Sequence, residues 1–431
     1  MLHRRDEEKL GLRELIAIGV GGMIGGGIFS VMGIAVSMSG HAAPLSFVID
    51  MLIALAAGYN FVKLALTFRD DGAAYTYLLR GWPKLPWIAG IEGWTLTVGY
   101  VGTLSLYAYT FGAYGADMLG SPGNVAVRIW LSLGVLLFFM LVNLEGVRSA
   151  GVTEDLIVYT KIVILGLFAV IGLTRVDAHR FLPLFDQGMS GLLLGAAVIF
   201  VAYEGFELIT NAVVETEDPD RNIPRGIYGS ILITGTIYLV LAVVAVGTMS
   251  LAQIIQAKEY ALAEVARPIL GNAGHLLIGL AALMATSSAI NSTLFGVSRM
   301  MAEMGAKGMM PAQFNLRDRR GVPWVAVLTM TVLAGAFALF GSLGIIAEFS
   351  SMTFLLVSIG VSLANLKLRE QTGASAWVAV AGMLLMAVTV LAIIGYMAVH
   401  NPHDLVFILV LYLVVGVLAV LYNRRYGNAG G

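Results

Sequence analysis

IAIGVGGMIGGGIFSVMG, residues 16–33, is apolar enough for a membrane helix yet holds seven glycines, three of them consecutive at Gly25, Gly26 and Gly27. Each glycine inside a helix costs about 1 kcal/mol relative to alanine. The run therefore marks either a helix packed very closely on another or a helix that is interrupted. Gly21–Gly25 and Gly22–Gly26 have the small-xxx-small spacing of close packing, so both readings stand on this stretch alone. A phosphate-binding loop is excluded, because no lysine follows the glycines and no strand precedes them.

The rest of the chain is of the same character. Of 431 residues, 58% are hydrophobic and 12% charged, against roughly 25% charged in soluble domains. Apolar runs long enough to cross the roughly 30 Å hydrocarbon core recur from end to end. The expected fold class is an all-α integral membrane protein with twelve transmembrane helices, at about 13–38, 44–68, 87–118, 126–144, 153–174, 188–215, 226–248, 272–302, 323–341, 344–368, 376–399 and 404–423. The first run is too long for a signal peptide and is taken as a retained span. A net charge of −1 suggests no nucleic-acid partner, and the absence of cysteine removes disulfides and thiolate metal sites.

Lysine and arginine set the orientation. Arg4, Arg5, Lys9, Arg13, the 69–86 loop, Arg148, Arg221, Arg225, Lys307, Arg317, Arg319, Arg320, Lys367, Arg369, Arg424 and Arg425 fall on one face. Arg128, Arg175, Arg180, Lys258 and Arg267 fall on the other. Both termini are expected in the cytoplasm of a multi-pass cell-membrane protein. Residues 249–271 read as an external loop with some helix, and EDPDRNIPRG (217–226) as a turn inside the cell.

One other span is conspicuously interrupted, by FVAYEGFELITN at 200–211. It places Glu204, Gly205 and Glu207 near mid-membrane, where an ionised group is costly unless paired or hydrated. Non-helical backbone at that depth survives only where protein or water satisfies it. Spans 1 and 6 hold the same place in two consecutive sets of five, the pattern of a 5+5 inverted repeat with a midplane site. The expected organisation is an N-terminal segment 1–12, a first repeat 13–174, a second 188–368, two added helices within 376–423 and a tail 424–431. The amides of Ile24, Gly25, Gly26 and Gly27 open the second half of span 1 and suit a carboxylate. The carbonyls of Val201, Ala202 and Tyr203 end the first half of span 6 and suit an ammonium. An anion site facing a cation site fits an α-amino acid.

GVGGMIGGGIF (19–29), DDGAAYTYLLRG (70–81), FVAYEGFE (200–207) with ETEDPDRNIPRGI (215–227), and ATSSAINSTLFGVSRMMAEMGAKGMMPAQF (285–314) together resemble the amino acid–polyamine–organocation transporter superfamily. The resemblance covers about residues 10–370 and is nearest to the proton-coupled, sodium-independent amino acid transporters of the ApcT type. It implies a leucine-transporter-like fold, alternating access and broad amino acid uptake, with no cofactor.

DLIVYTKIVILGLFAVIGL (155–173) holds one charge at membrane depth, Lys161. Its stem is long enough to snorkel to the interface. The alternative is a proton carrier, since low dielectric disfavours an ammonium and a conformational change alters its hydration. The resemblance implies that Lys161 puts its ammonium where sodium-coupled relatives hold a sodium ion, between the Gly19 and Gly22 carbonyls and the hydroxyls of Ser287 and Ser288.

Glu207 stands where members of that superfamily often carry an acid, and is expected to tie the unwound segment. Glu204 is less usual, and three roles stand for it: binding a cationic substrate, pairing with a neighbour, or carrying a proton. Gly205 and Phe206 complete the candidate pocket, with Phe206 as gate or plain packing and Tyr107 and Tyr109 as weaker candidates. Asn211 and Asn291 are expected to be buried amides tying helices together, and Asp50, Glu92 and Glu145 to be solvated near span ends. The leading function is proton-coupled amino acid uptake, and the alternative is exchange of an amino acid for an amine or polyamine. An intramembrane enzyme is disfavoured, because His3, His41, His179, His275, His400 and His403 all lie in the N-terminus, in loops or near span ends, and no metal site is expected.

Overall fold

The computed structural model describes residues 9–69, 74–146 and 150–426, and leaves the side chains of 150–156 and 424–426 outside the description. The expectations for Arg4, Arg5, Arg148, residues 70–73, the Arg424 and Arg425 side chains and the last five residues lie outside the described residues. Every expected span falls on helix. In chain order these are α1 (Leu12–Met23), α2 (Gly27–Ser39), α3 (Ala43–Phe68), α4 (Ala74–Gly81), α5 (Pro86–Met118), α6 (Val125–Glu145), α7 (Ala150–Leu173) and α8 (Gly188–Ile199). There follow α9 (Pro219–Thr248), α10 (Leu251–Ala257), α11 (Ala261–Ala306), α12 (Trp324–Phe340), α13 (Leu343–Lys367), α14 (Arg369–Thr372), α15 (Ala376–His400) and α16 (Pro402–Tyr426). Eight helical stretches among the described residues are long and apolar enough to cross a membrane, and α12 is apolar but shorter.

The outer faces of α6, α15 and α16 expose large apolar side chains, among them Trp130, Phe138, Leu141, Leu391, Phe407 and Leu413. Contiguous apolar surface on this scale is unstable in water and belongs against lipid. α5 runs through the interior, packed on α6, α11, α12, α13 and α16. α1, α3 and α8 pack with α9 and α2 on the side that carries both interruptions.

The first interruption is where the glycines place it. α1 stops at Met23, the Ile24 amide still reaches the Val20 carbonyl at 2.8 Å, and helix resumes at Gly27. The second follows α8. Residues Phe200–Tyr203 and Phe206–Ala212 form 3-10 turns, separated by extended Glu204 and by Gly205 at φ +122°. Two of these glycines have no substitute. A Cβ on Gly205 would stand 2.7 Å from the Gly22 carbonyl carbon, at a φ that side chains rarely adopt, and a Cβ on Gly27 would stand 2.8 Å from Ala202 Cα. The close-packing and interruption readings of the opening stretch are thus both right: the helix breaks, and the two breaks press backbone to backbone.

The ends of the two interrupted spans are also joined. The Leu10 amide donates to the Glu215 carbonyl and the Glu217 amide to the Leu10 carbonyl, each at 2.9 Å. Deeper in, the Asn365 amide donates to Asn60 Oδ1 at 2.8 Å and Asn60 donates to Ser362 Oγ at 2.9 Å, fastening α3 to α13.

Several local expectations change. EDPDRNIPRG is not all turn: α9 begins at Pro219, where a missing N–H costs nothing in the first turn. α11 begins ahead of the expected 272 and is kinked at Gly271, φ +66°. Asp50 and Glu92 are buried rather than solvated, because α3 has already run two turns before Asp50 and Glu92 fills the space beside Gly360. Glu145 is exposed, as expected.

Gly205→Ala is expected to lower the thermal midpoint of the purified protein, with an overpacking cost of about 1–3 kcal/mol. Gly296→Ala, where a Cβ meets nothing within 4 Å, is the control and should leave the midpoint unchanged. Equal midpoints for the two variants would contradict the backbone contact between the breaks.

Candidate functional site

Breaking two helices inside a membrane leaves backbone groups that must be satisfied locally. Tyr238 of α9 does much of this: its hydroxyl lies 2.6 Å from the Met23 carbonyl and 3.1 Å from the Ala202 carbonyl. One side chain thereby spans the ends of both interrupted helices. Ser351 of α13 holds the turn after α8, accepting from the Val201 amide at 2.9 Å and donating to the Val198 carbonyl at 2.6 Å. The Tyr203 hydroxyl donates to the Phe47 carbonyl of α3 at 2.7 Å.

Other groups are left unspent. The amides of Gly25, Gly26 and Gly27 have no acceptor among the described residues, although they open α2. Of the three expected carbonyls, that of Val201 accepts from the Glu204 amide at 3.3 Å and that of Ala202 from Tyr238, while that of Tyr203 accepts nothing among the described residues. The contacts of Gly25 and Gly26 with Tyr107, and of Gly27 with Ala202, close this rim tightly.

Next to it lies a cavity of about 290 Å³. Gly22, Glu204, Gly205, Phe206, Glu207 and Tyr107 form its inner wall, and Arg299 and Glu303 of α11 also line it. Phe206 meets Phe61 edge to face, with ring centroids 5.7 Å apart. Thr103 of α5 donates to Glu204 Oε2 at 2.7 Å. The Gly205 amide donates to Glu207 Oε2 at 2.9 Å, which ties the unwound segment, and Oε1 has no hydrogen-bond partner among the described residues. Ile24, Gly25, Gly26, Gly27, Val201, Ala202 and Tyr203 are not on the cavity wall, while Gly205, Phe206, Glu204 and Glu207 are.

Lys161 is wholly buried. Its ammonium donates to the Gly21 carbonyl at 3.0 Å, between the two expected carbonyls of Gly19 and Gly22. α7 packs on both α1 and α11, so Ser287 and Ser288 belong to the neighbouring helix. Neither hydroxyl takes a hydrogen bond from Lys161 among the described residues. The ammonium is enclosed by protein against α1 rather than exposed at the surface.

Tyr107 lines the cavity, but Tyr109 does not: it donates to Glu259 at 3.2 Å under the Arg128 guanidinium. Asn291 accepts from Asn143 at 3.0 Å and ties α11 to α6, the expected role, although it is half-buried rather than buried. Asn211 is exposed on the cavity wall instead, because the 3-10 turns swing it away from a helix interface. Tyr238, Ser351, Thr103 and Tyr100, which also lines the cavity, give no sign in the sequence, since a lone hydroxyl in an apolar helix carries no periodic signal. Away from the cavity, Asp117, Glu264 and His275 converge, with ligand atoms within 4.8 Å of one another. Arg267 already grips Glu264 through two hydrogen bonds, and His275 Nε2 is 2.7 Å from Asp117 Oδ2.

The amino acid permease family model matches residues 10–421. A protein of Methanocaldococcus jannaschii described only as uncharacterised is 28% identical, covering 97% of this chain and 96% of its own. The inner membrane transport protein YbaT of Escherichia coli is 27% identical, with 96% of each chain covered. The branched-chain amino acid permease BcaP of Bacillus subtilis is 25% identical over 82% of this chain and 80% of its own. These similarities agree with the lipid-facing helices and the paired interruptions: this chain is a multi-pass membrane protein and belongs to the amino acid permease family.

Proposed function

We propose that this permease is a secondary active transporter that takes up amino acids across the cell membrane by alternating access, coupled to protons and independent of sodium. The observation that carries the reading is the set of unspent amides at Gly25, Gly26 and Gly27, with Gly27 packed on Ala202, the residue before the unspent carbonyl of Tyr203. The amides, at the positive end of α2, suit the substrate carboxylate. The carbonyl suits its ammonium, and Phe206 and Tyr107 offer apolar surface to its side chain. In this reading the chain crosses the cell membrane twelve times, as a 5+5 inverted repeat plus two helices with both termini in the cytoplasm, and the two interrupted spans move together.

Lys161 serves as the coupling group. With its ammonium on the Gly21 carbonyl, it holds α1 in place while charged. Loss of that proton would release α1 from α7. The test is labelled amino acid uptake into sodium-free proteoliposomes, with and without an inward proton gradient. Wild type should accumulate substrate only with the gradient, and Lys161→Ala should lose that accumulation. Equal accumulation by both would move the coupling away from Lys161. No uptake and no binding of any amino acid would overturn the substrate class.

Glu204 favours a second reading, exchange of an amino acid for an amine or polyamine, because its carboxyl stands on the cavity wall with one hydrogen bond from Thr103. If it meets a cationic substrate, Glu204→Gln should weaken that substrate by roughly tenfold or more, as loss of a charged hydrogen bond does. Neutral amino acids should be spared. Equal weakening of both classes would contradict a charge-selective role.

A further inference from the structure

Asp50 takes no part in the site above. It lies on α3 one turn beyond Phe47, is fully buried, and neither carboxyl oxygen has a hydrogen-bond partner among the described residues. Met51 sits on Gly235, and Phe47 meets Tyr238 edge to face, so Asp50 stands level with Thr234–Tyr238 of α9. The Thr234 hydroxyl is buried and without a partner as well. α3 also packs on α8 and on the turn Phe200–Tyr203.

The groups around Asp50 offer it no counter-charge. α2 and α8 bring no titratable side chain. α13 brings Glu348 near one end and Lys367 at the other, and α15 brings Tyr396 and His400 near its end. Among the described residues Asp50 takes part in no ion pair and no hydrogen bond through its carboxyl. Tyr203 is within electrostatic reach of it, but the Tyr203 hydroxyl has one proton and gives it to the Phe47 carbonyl. Tyr238 is committed to Met23 and Ala202. An ionised carboxyl in low dielectric with no donor and no cation is not stable.

We propose that Asp50 is an internal proton-binding site, neutral while the turn Phe200–Tyr203 is closed on α3 and ionised when that turn moves away. Movement of the turn breaks the bond from Tyr203 to Phe47 and lets water reach Asp50; the carboxyl proton passes to that water, which then solvates the carboxylate. Tyr203 keeps its own proton throughout. The site thus reads out the position of the span-6 turn, and Asp50 itself is not on the cavity wall. Its role in transport rests on the proton-coupled reading above, whereas proton binding does not.

The test is infrared difference spectroscopy of the purified full-length protein at neutral pH. A carbonyl-stretch band of a protonated carboxylic acid is expected. It should shift on labelling with 13C-aspartate and be missing from Asp50→Asn. Asp117, also buried among the described residues, is paired with His275; Asp117→Asn is the control and should leave the band in place. Absence of the band from folded wild type, or its persistence in Asp50→Asn, overturns the proposal. So does a carboxylate band that responds to added sodium or potassium, which would make the site a metal-cation site. If Asp50→Asn does not fold, the aspartate-label shift in wild type decides. In proteoliposomes, Asp50→Asn should retain substrate counterflow at equal pH and lose its pH dependence; wild-type pH dependence in the variant overturns the coupling role. Wild-type uptake that ignores a proton gradient while the band is present would remove the proton-coupled reading and leave the proton site standing.

Discussion

Two interrupted helices meet backbone to backbone at Gly22 and Gly205, and the rest of the structure is arranged around that contact. Hydrocarbon cannot satisfy a free amide or carbonyl, and each one left unpaired there costs several kcal/mol. The protein spends hydroxyls on this problem. Tyr238 serves the Met23 and Ala202 carbonyls, Ser351 the turn after α8, and Tyr203 secures that turn to α3. What remains uncapped is a short row of amides at one break and a carbonyl at the other, the polarity a zwitterion requires.

The contact also explains why small residues are concentrated where they are. Gly27 lies on Ala202, Gly25 on Ala289, and Gly26 under Tyr107. Side chains at these positions would hold the breaks apart and open the polar groups to lipid or water. With none there, the two breaks are in direct backbone contact. Lys161 on the Gly21 carbonyl and the Leu10 pairing with Glu215 and Glu217 add further ties to the same interrupted spans.

Much of this is legible in the residues themselves. Seven glycines in one apolar run, a glutamate pair around Gly205 and one lysine at membrane depth are violations of membrane-helix composition, and each marks a place where the backbone or a charge is specially held. The helices were equally readable, because apolar runs at bilayer length have few alternatives. What composition hides is which polar group answers which. Tyr238 looks like any aromatic in an apolar helix, and whether Lys161 meets the carbonyl of Gly19, Gly21 or Gly22 depends on rotation by a fraction of a turn. Asp50 and Glu92 were misplaced for a related reason: nearness to a span end in sequence does not say whether another helix covers that end.

In the proposed transport cycle the cavity and the closed rim of glycine amides are two sides of one site, exposed in turn. The absence of cysteine from the chain makes a direct measurement simple. Ser292→Cys puts a single thiol on the cavity wall, and its rate of labelling by a membrane-impermeant thiol reagent can be followed in proteoliposomes with and without a transported amino acid. Saturating substrate should change that rate, because binding at the rim would shift the cavity between open and closed. A labelling rate indifferent to a substrate that the same vesicles demonstrably accumulate would contradict it.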